Sequence, residues 1–342
     1  MLLLLLYRAF LVLCSASCLF HIERFFAINF VGHVCPINML VYQVFIGKNM
    51  TQFAPQAIPN QIAGNNPLAK HFRQPAIFTR LISGGKYWPD GALDLPVTGK
   101  IPVYPMTTRD EITLKTPDAL IDGTSVVNVI QSCCPNIKNA WEMPSVDVDA
   151  ILIAVRIASY GGSMGIESVC PHCKNEHEYD INLSSILDTI PMPDYDTELR
   201  INQEISIKLK PMNYLQVSRA GTAAFEEQRY IQSLSTSDAT DEQKKEQYGL
   251  HLEKLVDLSI KNIVYCTEAV ILNSTERVTD PKHISEYYAN AETSVLKKLQ
   301  DRIKEYADIT ALKPMTVQCT ACQANFSLSI QFDYASFFGK GF

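Results

Sequence analysis

Two C-x-x-C pairs, Cys170/Cys173 and Cys319/Cys322, lie about 145 residues apart, so any structure that joins them closes a very long loop. A C-x-x-C turn presents two sulfurs on one side of a tight backbone bend. Two such turns facing each other supply the four sulfurs of a tetrahedral Zn2+ site. Both copies enter through a short segment containing a valine (Ser168-Val169 and Val317-Gln318) and leave into an alternating strand, HEYDINL and NFSLSIQF. That layout predicts a two-knuckle zinc ribbon with Cys170, Cys173, Cys319 and Cys322 as ligands. Four sulfurs close the coordination shell, so the metal is expected to be structural. His172, between the first two cysteines, and His177, beyond the turn, are read as surface or neighbouring groups.

Ten cysteines are present. Cys14, Cys18 and Cys35 lie in an apolar leader, and Cys133, Cys134 and Cys266 stand outside the pairs. Vicinal Cys133-Cys134 and the apolar setting of Cys266 do not form a disulfide framework, and a reducing compartment fits better.

Between Met1 and Asn49 the only charged residues are Arg8, Glu23, Arg24 and Lys48. Composition changes sharply at Met50, and residues 1–49 are read as lying outside the mature fold, with translation starting at Met50. A membrane or secretory segment is the alternative, although the run between Arg8 and Glu23 is shorter than the ~20 residues a spanning helix needs. Residues 50–66, rich in Gln, Asn and Pro, read as a flexible arm.

The remainder predicts an α+β fold: β-hairpins and the ribbon, with a long helical insertion. Residues 67–212 form the α+β body with the first knuckle, 213–309 the insertion, and 310–342 the second knuckle and a C-terminal strand. A hairpin is expected over residues 75–88, turning at Ser83-Gly84-Gly85. Thr108 with Glu111 has capping-box spacing, Pro117–Leu120 and Thr124–Cys133 are short helices, and Ser145 caps a helix that Gly161-Gly162 ends. Arg156 in that helix is expected to be solvated or capping, and Asp147 and Asp149 to favour its N-terminal dipole. ELRI and ISIKLKP form a hairpin around Asn202-Gln203. Helices follow at about 213–235, 240–272 and 284–308.

No nucleotide-binding loop, serine elbow or H-E-x-x-H is present, which leaves no enzymatic signature and no small-molecule substrate. The net charge of −6 makes nucleic acid an unfavourable partner. The first knuckle adds Glu176, Glu178 and Asp180 against Lys174, and the second carries no basic residue from Met315 to Gln331. A zinc-ribbon nucleic-acid-binding or regulatory protein remains the alternative class.

Three stretches carry a resemblance: NPLAKHFRQPAIFTRLISGGKYW, IPVYPMTTRDEITLKTPDALIDGTSVVNVIQSCCPNI, and VDVDAILIAVRIASYG with CPHC and HEYDINL. They resemble the T-even-type bacteriophage baseplate protein family, over roughly residues 67–215 and with the second knuckle as a continuation. The insertion and the leader fall outside it. The resemblance implies a structural hub subunit of a contractile tail, not an enzyme. It would assemble in the host cytoplasm into the virion tail baseplate through contacts with other hub or tail proteins. A membrane enters only if the leader is retained. Phe78, Tyr87 and Trp88 suit either an interface centre or the cover of a core, and the apolar YASFFGKGF is a candidate docking segment.

Overall fold

A computed structural model of the protein describes residues 67–115, 123–235, 240–273, 275–328 and 337–338. The leader, the arm and Pro117–Leu120 lie outside them. Helix and strand are mixed throughout, as an α+β fold requires.

The architecture is organised by α3 (Ser145–Tyr160), in which every residue from Val146 to Arg156 except Asp149 is buried. A helix apolar around its whole circumference must be enclosed. Around it stand β1 (Ile77–Arg80), β2 (Lys100–Val103), α1 (Thr108–Leu114) and α2 (Thr124–Cys133), then β3 (Ser163–Val169), β4 (Glu176–Asn182) and α4 (Leu183–Thr189). Their apolar faces form one core, in which Ile101, Val129, Ile130, Ile151 and Ala154 are wholly buried. Pro144 occupies the N-cap of α3 and Ser145 makes no capping bond, contrary to expectation. Gly161, with φ +89°, ends the helix as its sequence indicated.

The hairpin expected over residues 75–88 does not form. Ile77–Arg80 is a strand, but it pairs antiparallel with Lys100–Val103 in the register Ile77↔Val103 to Arg80↔Lys100. The chain after Arg80 is drawn instead to the buried carboxylate of Asp147. The Ser83 amide donates to Oδ1 at 2.8 Å, and the Ser83 hydroxyl and Trp88 Nε1 donate to Oδ2 at 2.5 and 3.0 Å. Three donors outweigh the one turn that the glycines permit. Asp147 thus anchors a loop from its place in the first turn of α3. Helix α1 begins one residue earlier than its spacing suggested, with Thr107 as N-cap and Asp110 closing the capping box.

A second core lies beneath the four-stranded sheet β5-β6-β7-β8. Its strands are β5 (Leu199–Arg200), β6 (Ile205–Leu209), β7 (Thr267–Leu272) and β8 (Glu276–Val278), all antiparallel. The Asn202-Gln203 hairpin forms as read: Asn202 Oδ1 accepts from the amides of Glu204 and Ile205. The helices are α5 (Tyr214–Ser235), α6 (Asp241–Tyr265), α7 (Pro281–Asn290) and α8 (Thr293–Thr310). Residues 267–272, expected as helix, are strand because TEAVIL pairs with β6, and apolar runs this short carry no decisive period. The helix expected over 284–308 is broken at Ala291-Glu292, and α7 starts with Pro281 at its first turn and Asp280 as cap. The segment after β6 is tied to the start of α3, where the Ser145 amide donates to the Met212 carbonyl and the Tyr214 amide to that of Met143, at 2.8 Å each.

Two further expectations are corrected. Arg156 is buried, its guanidinium stacked on Tyr160 and near Phe337, because α3 is enclosed on every side. Phe337 and Phe338 of the YASFF segment pack into the first core, which removes them from any exposed docking surface.

Candidate metal centre

β3 and β4 form a seven-pair antiparallel hairpin, from Ser163↔Asn182 to Val169↔Glu176, whose tip is the first C-x-x-C turn. The second pair tips a shorter hairpin of β9 (Met315–Gln318) and β10 (Asn325–Leu328), closed by Gln318↔Asn325. The tips share one backbone pattern. The Cys170 amide donates to the Asn175 carbonyl at 2.9 Å and the Lys174 amide to that of Cys170 at 3.0 Å. In the second tip, Cys319 donates to Ala324 and Gln323 to Cys319, both at 2.9 Å. Lys174 and Gln323, each directly after the second cysteine of its pair, both have φ +61°. Local hydrogen bonding therefore builds the same knuckle twice.

The four Sγ atoms of Cys170, Cys173, Cys319 and Cys322 all lie within 4.8 Å of one another. Cys170 to Cys322 is 3.8 Å and Cys173 to Cys319 is 3.6 Å. A disulfide needs about 2.05 Å, so these are free thiols. Four sulfurs at about 2.3 Å from one ion span edges of about 3.8 Å, which the observed separations fit. Cys170 and Cys319 are buried, Cys173 is half-buried and Cys322 exposed. The amides of Cys322 and then Ala321 point at the Cys319 sulfur and draw its thiol down to about 6, favouring the thiolate a metal requires. At Cys322 the Ala324 amide acts in the same direction, but burial and the neighbouring sulfurs of Cys173, Cys319 and Cys170 hold the group up at about 12. The donor set is compatible with a metal site of the closed, all-sulfur kind.

The inner faces of the two hairpins hold the knuckles together. Tyr179 and Ile181 of β4 point inward, and Tyr179 meets Phe326 of β10 edge-on at 5.6 Å. Glu176, Glu178 and Asp180 point outward and are exposed. His172 is exposed, and His177 is half-buried with its ring 6.5 Å from Tyr179; neither belongs to the sulfur cluster.

A family model described as T4 bacteriophage base plate protein matches residues 89–339. The chain belongs to that family. Both knuckles and the helices between them fall within the match, so the family extends across the segment that the resemblance had left out. Residues 67–88 precede it. No curated protein and no solved structure matches the chain. This base plate protein has a structural role in the phage tail, in contact with other tail proteins. Among the described residues, no helix is long and apolar enough to cross a membrane.

Other polar groups were not announced by spacing. On α5 and α6, His251 Nδ1 contacts Glu227 Oε2, Lys254 Nζ lies 3.5 Å from Oε1, and the His251 ring stacks on Tyr230. Arg73 donates to the carbonyls of Pro105 and Ser132 and to Ser132 Oγ, and its guanidinium lies 3.4 Å from Asp110. Each assembles residues from distant parts of the chain. Cys133 and Cys134 are buried, and burial pushes the Cys133 thiol up to about 12, which makes it a poor nucleophile.

Proposed function

We propose that the protein is a structural component of the baseplate hub of a contractile phage tail, acting in virion assembly through protein–protein contacts. Cys170, Cys173, Cys319 and Cys322 hold a structural zinc ion as a two-knuckle ribbon. The observation that carries this reading is the convergence of two like knuckles, both inside the family match, on one four-sulfur cluster. A closed sulfur shell offers no position to water or substrate, so the metal clips the chain and the protein is not an enzyme. The partners are other hub or tail proteins, without nucleic acid or a small-molecule substrate. Assembly takes place in the host cytoplasm and the product resides in the virion baseplate.

In this reading, residues 213–309 are an insertion held at its base by the metal, residues 67–212 the body, and 310–342 the closing segment. The exposed carboxylates on the outer face of β4 support a protein partner over a nucleic acid.

A phage carrying a nonsense mutation in this gene tests the proposal. Infection of a non-suppressing host is expected to yield heads without attached tails. Wild-type protein supplied in trans should restore infectious particles, and a Cys170→Ser/Cys319→Ser variant should not. Normal tails from the mutant infection would overturn the assembly role. Full rescue by the double variant would overturn the metal clip.

A further inference from the structure

Of the three aromatic residues that suited an interface or a core, Tyr87 and Trp88 are half-buried and Phe78 is 63% exposed. A lone exposed phenylalanine is ordinary, but Phe78 stands in a patterned face. In the two-stranded sheet β1–β2, alternate residues turn toward the core, which leaves Phe78, Arg80, Lys100 and Pro102 on the outer side. Phe78 lies opposite Pro102 and Arg80 opposite Lys100, so an apolar rung adjoins a doubly cationic one. Like charges directly opposite each other on a sheet repel. Neither cation has a carboxylate partner among the described residues. The outer side of β3–β4 repeats this arrangement with the opposite sign. Glu167 lies opposite Glu178, and on the next outward rung Val169, 52% exposed, lies opposite Glu176. Glu178 leans across the bare backbone of Gly165, where a Cβ would collide with its carboxylate. Glu176 and Glu178 have no cationic partner among the described residues.

We propose that the outer face of β1–β2 in one copy of the chain docks on the outer face of β3–β4 in a second copy. Phe78 and Pro102 then meet Val169, while Arg80 and Lys100 meet Glu167 and Glu178. The match is geometric as well as electrostatic. On both faces the apolar and the charged rung are two residues apart, about 7 Å along the strand. Docking turns two repulsive rungs into attractive pairs across the contact, removes Phe78 and Val169 from water, and fixes the register by charge. A second copy is the occupant because this one chain carries both halves of the match. The contact joins different surfaces of the two copies, so it is heterologous and builds a ring or a row rather than a two-fold dimer. The inference goes beyond the assembly role proposed above and does not depend on it.

Sedimentation velocity of the purified full-length protein tests this. Wild type should form species larger than a monomer at about 0.05 M salt and dissociate at about 0.5 M, where exposed charges are largely screened. Arg80→Glu/Lys100→Glu and Glu176→Lys/Glu178→Lys should each weaken association by about a hundredfold. Both should keep the wild-type circular dichroism, since all four side chains are exposed. Mixing the two variants in equal amounts should restore the larger species, because each reversed face then meets a complementary one. Damage to folding would not be repaired in this way. Association that persists at high salt, reversal variants that associate like wild type, or a mixture that stays monomeric would each overturn the inference. A wild type that is monomeric at low salt would also overturn it and assign the two faces to a different protein. The assembly role is read separately, from the tails in the mutant infection, and stands or falls apart from these outcomes.

Discussion

Trp88 Nε1 donates to Asp147 Oδ2 at 3.0 Å, on the same oxygen that accepts from the Ser83 hydroxyl. Burial pushes the Asp147 carboxyl up from its ordinary range, and the bonds from Ser83 and Trp88 act against that. Asp147→Asn relieves the buried charge but places an amide where Oδ2 meets two donors, and the indole cannot turn to accept. The expected loss is about 2–3 kcal/mol in urea unfolding. Trp88→Phe should cost about 1–2 kcal/mol alone, and less on top of Asp147→Asn, because the clash has then lost one donor. Additive losses would show that the two side chains do not act together.

Metal removal should act on stability more than on any local property. A clip joining Cys173 to Cys319 removes loop-closure freedom from the unfolded chain, worth about 5 kcal/mol at this length. Calorimetry with a strong chelator, or of Cys319→Ser, is expected to show a melting temperature lower by more than ten degrees. An unchanged melting curve after verified metal loss would contradict the clip.

Lys174 and Gln323 carry side chains in a left-handed backbone region that favours glycine. Lys174→Gly and Gln323→Gly are each expected to stabilise the knuckle by up to about 1 kcal/mol, the relieved strain being partly offset by the freer unfolded chain. Thermal melts of the two variants measure this. A marked loss in either would mean that the side chain, not the backbone, stabilises the turn.

Arg73 ties the start of the body to α1 and α2 through Pro105, Asp110 and Ser132. Arg73→Ala should cost about 2 kcal/mol, and Arg73→Lys should recover only part of it, since a point charge cannot reproduce a forked donor. Equal stability of the lysine variant and wild type would reduce the interaction to simple charge.

The pairing of α5 with α6 should weaken in acid. Burial alone would raise the Glu227 carboxyl, but the bond from His251 and the charge of Lys254 outweigh it, leaving the group below its ordinary 4.5. A carboxyl whose folded value is depressed adds stability above its unfolded value and loses it as pH falls through the folded one. Helical circular dichroism should decline in that window below about pH 4. Glu227→Gln should flatten this limb of the titration, and an identical acid curve would assign the loss to other carboxyls.

The spacing of Cys170/Cys173 and Cys319/Cys322 by itself determined the shape of each knuckle, because a C-x-x-C turn is built from hydrogen bonds spanning only five residues. Helix α3, with its closing Gly161, and the Asn202-Gln203 turn were legible for the same reason: their causes are local. What the tertiary structure alone decided depends on partners remote in the chain. Ile77–Arg80 pairs with Lys100–Val103, rather than with its neighbours, because Asp147, 64 positions from Ser83, captures the intervening loop. Thr267–Leu272 is a strand because β6 needs a neighbour. Arg156 is buried because the rest of the fold surrounds α3. The four cysteines show both sides of this division: sequence specifies the two knuckles, and only the packing of Tyr179 against Phe326 shows how their hairpins dock, bringing the four sulfurs within reach of one ion.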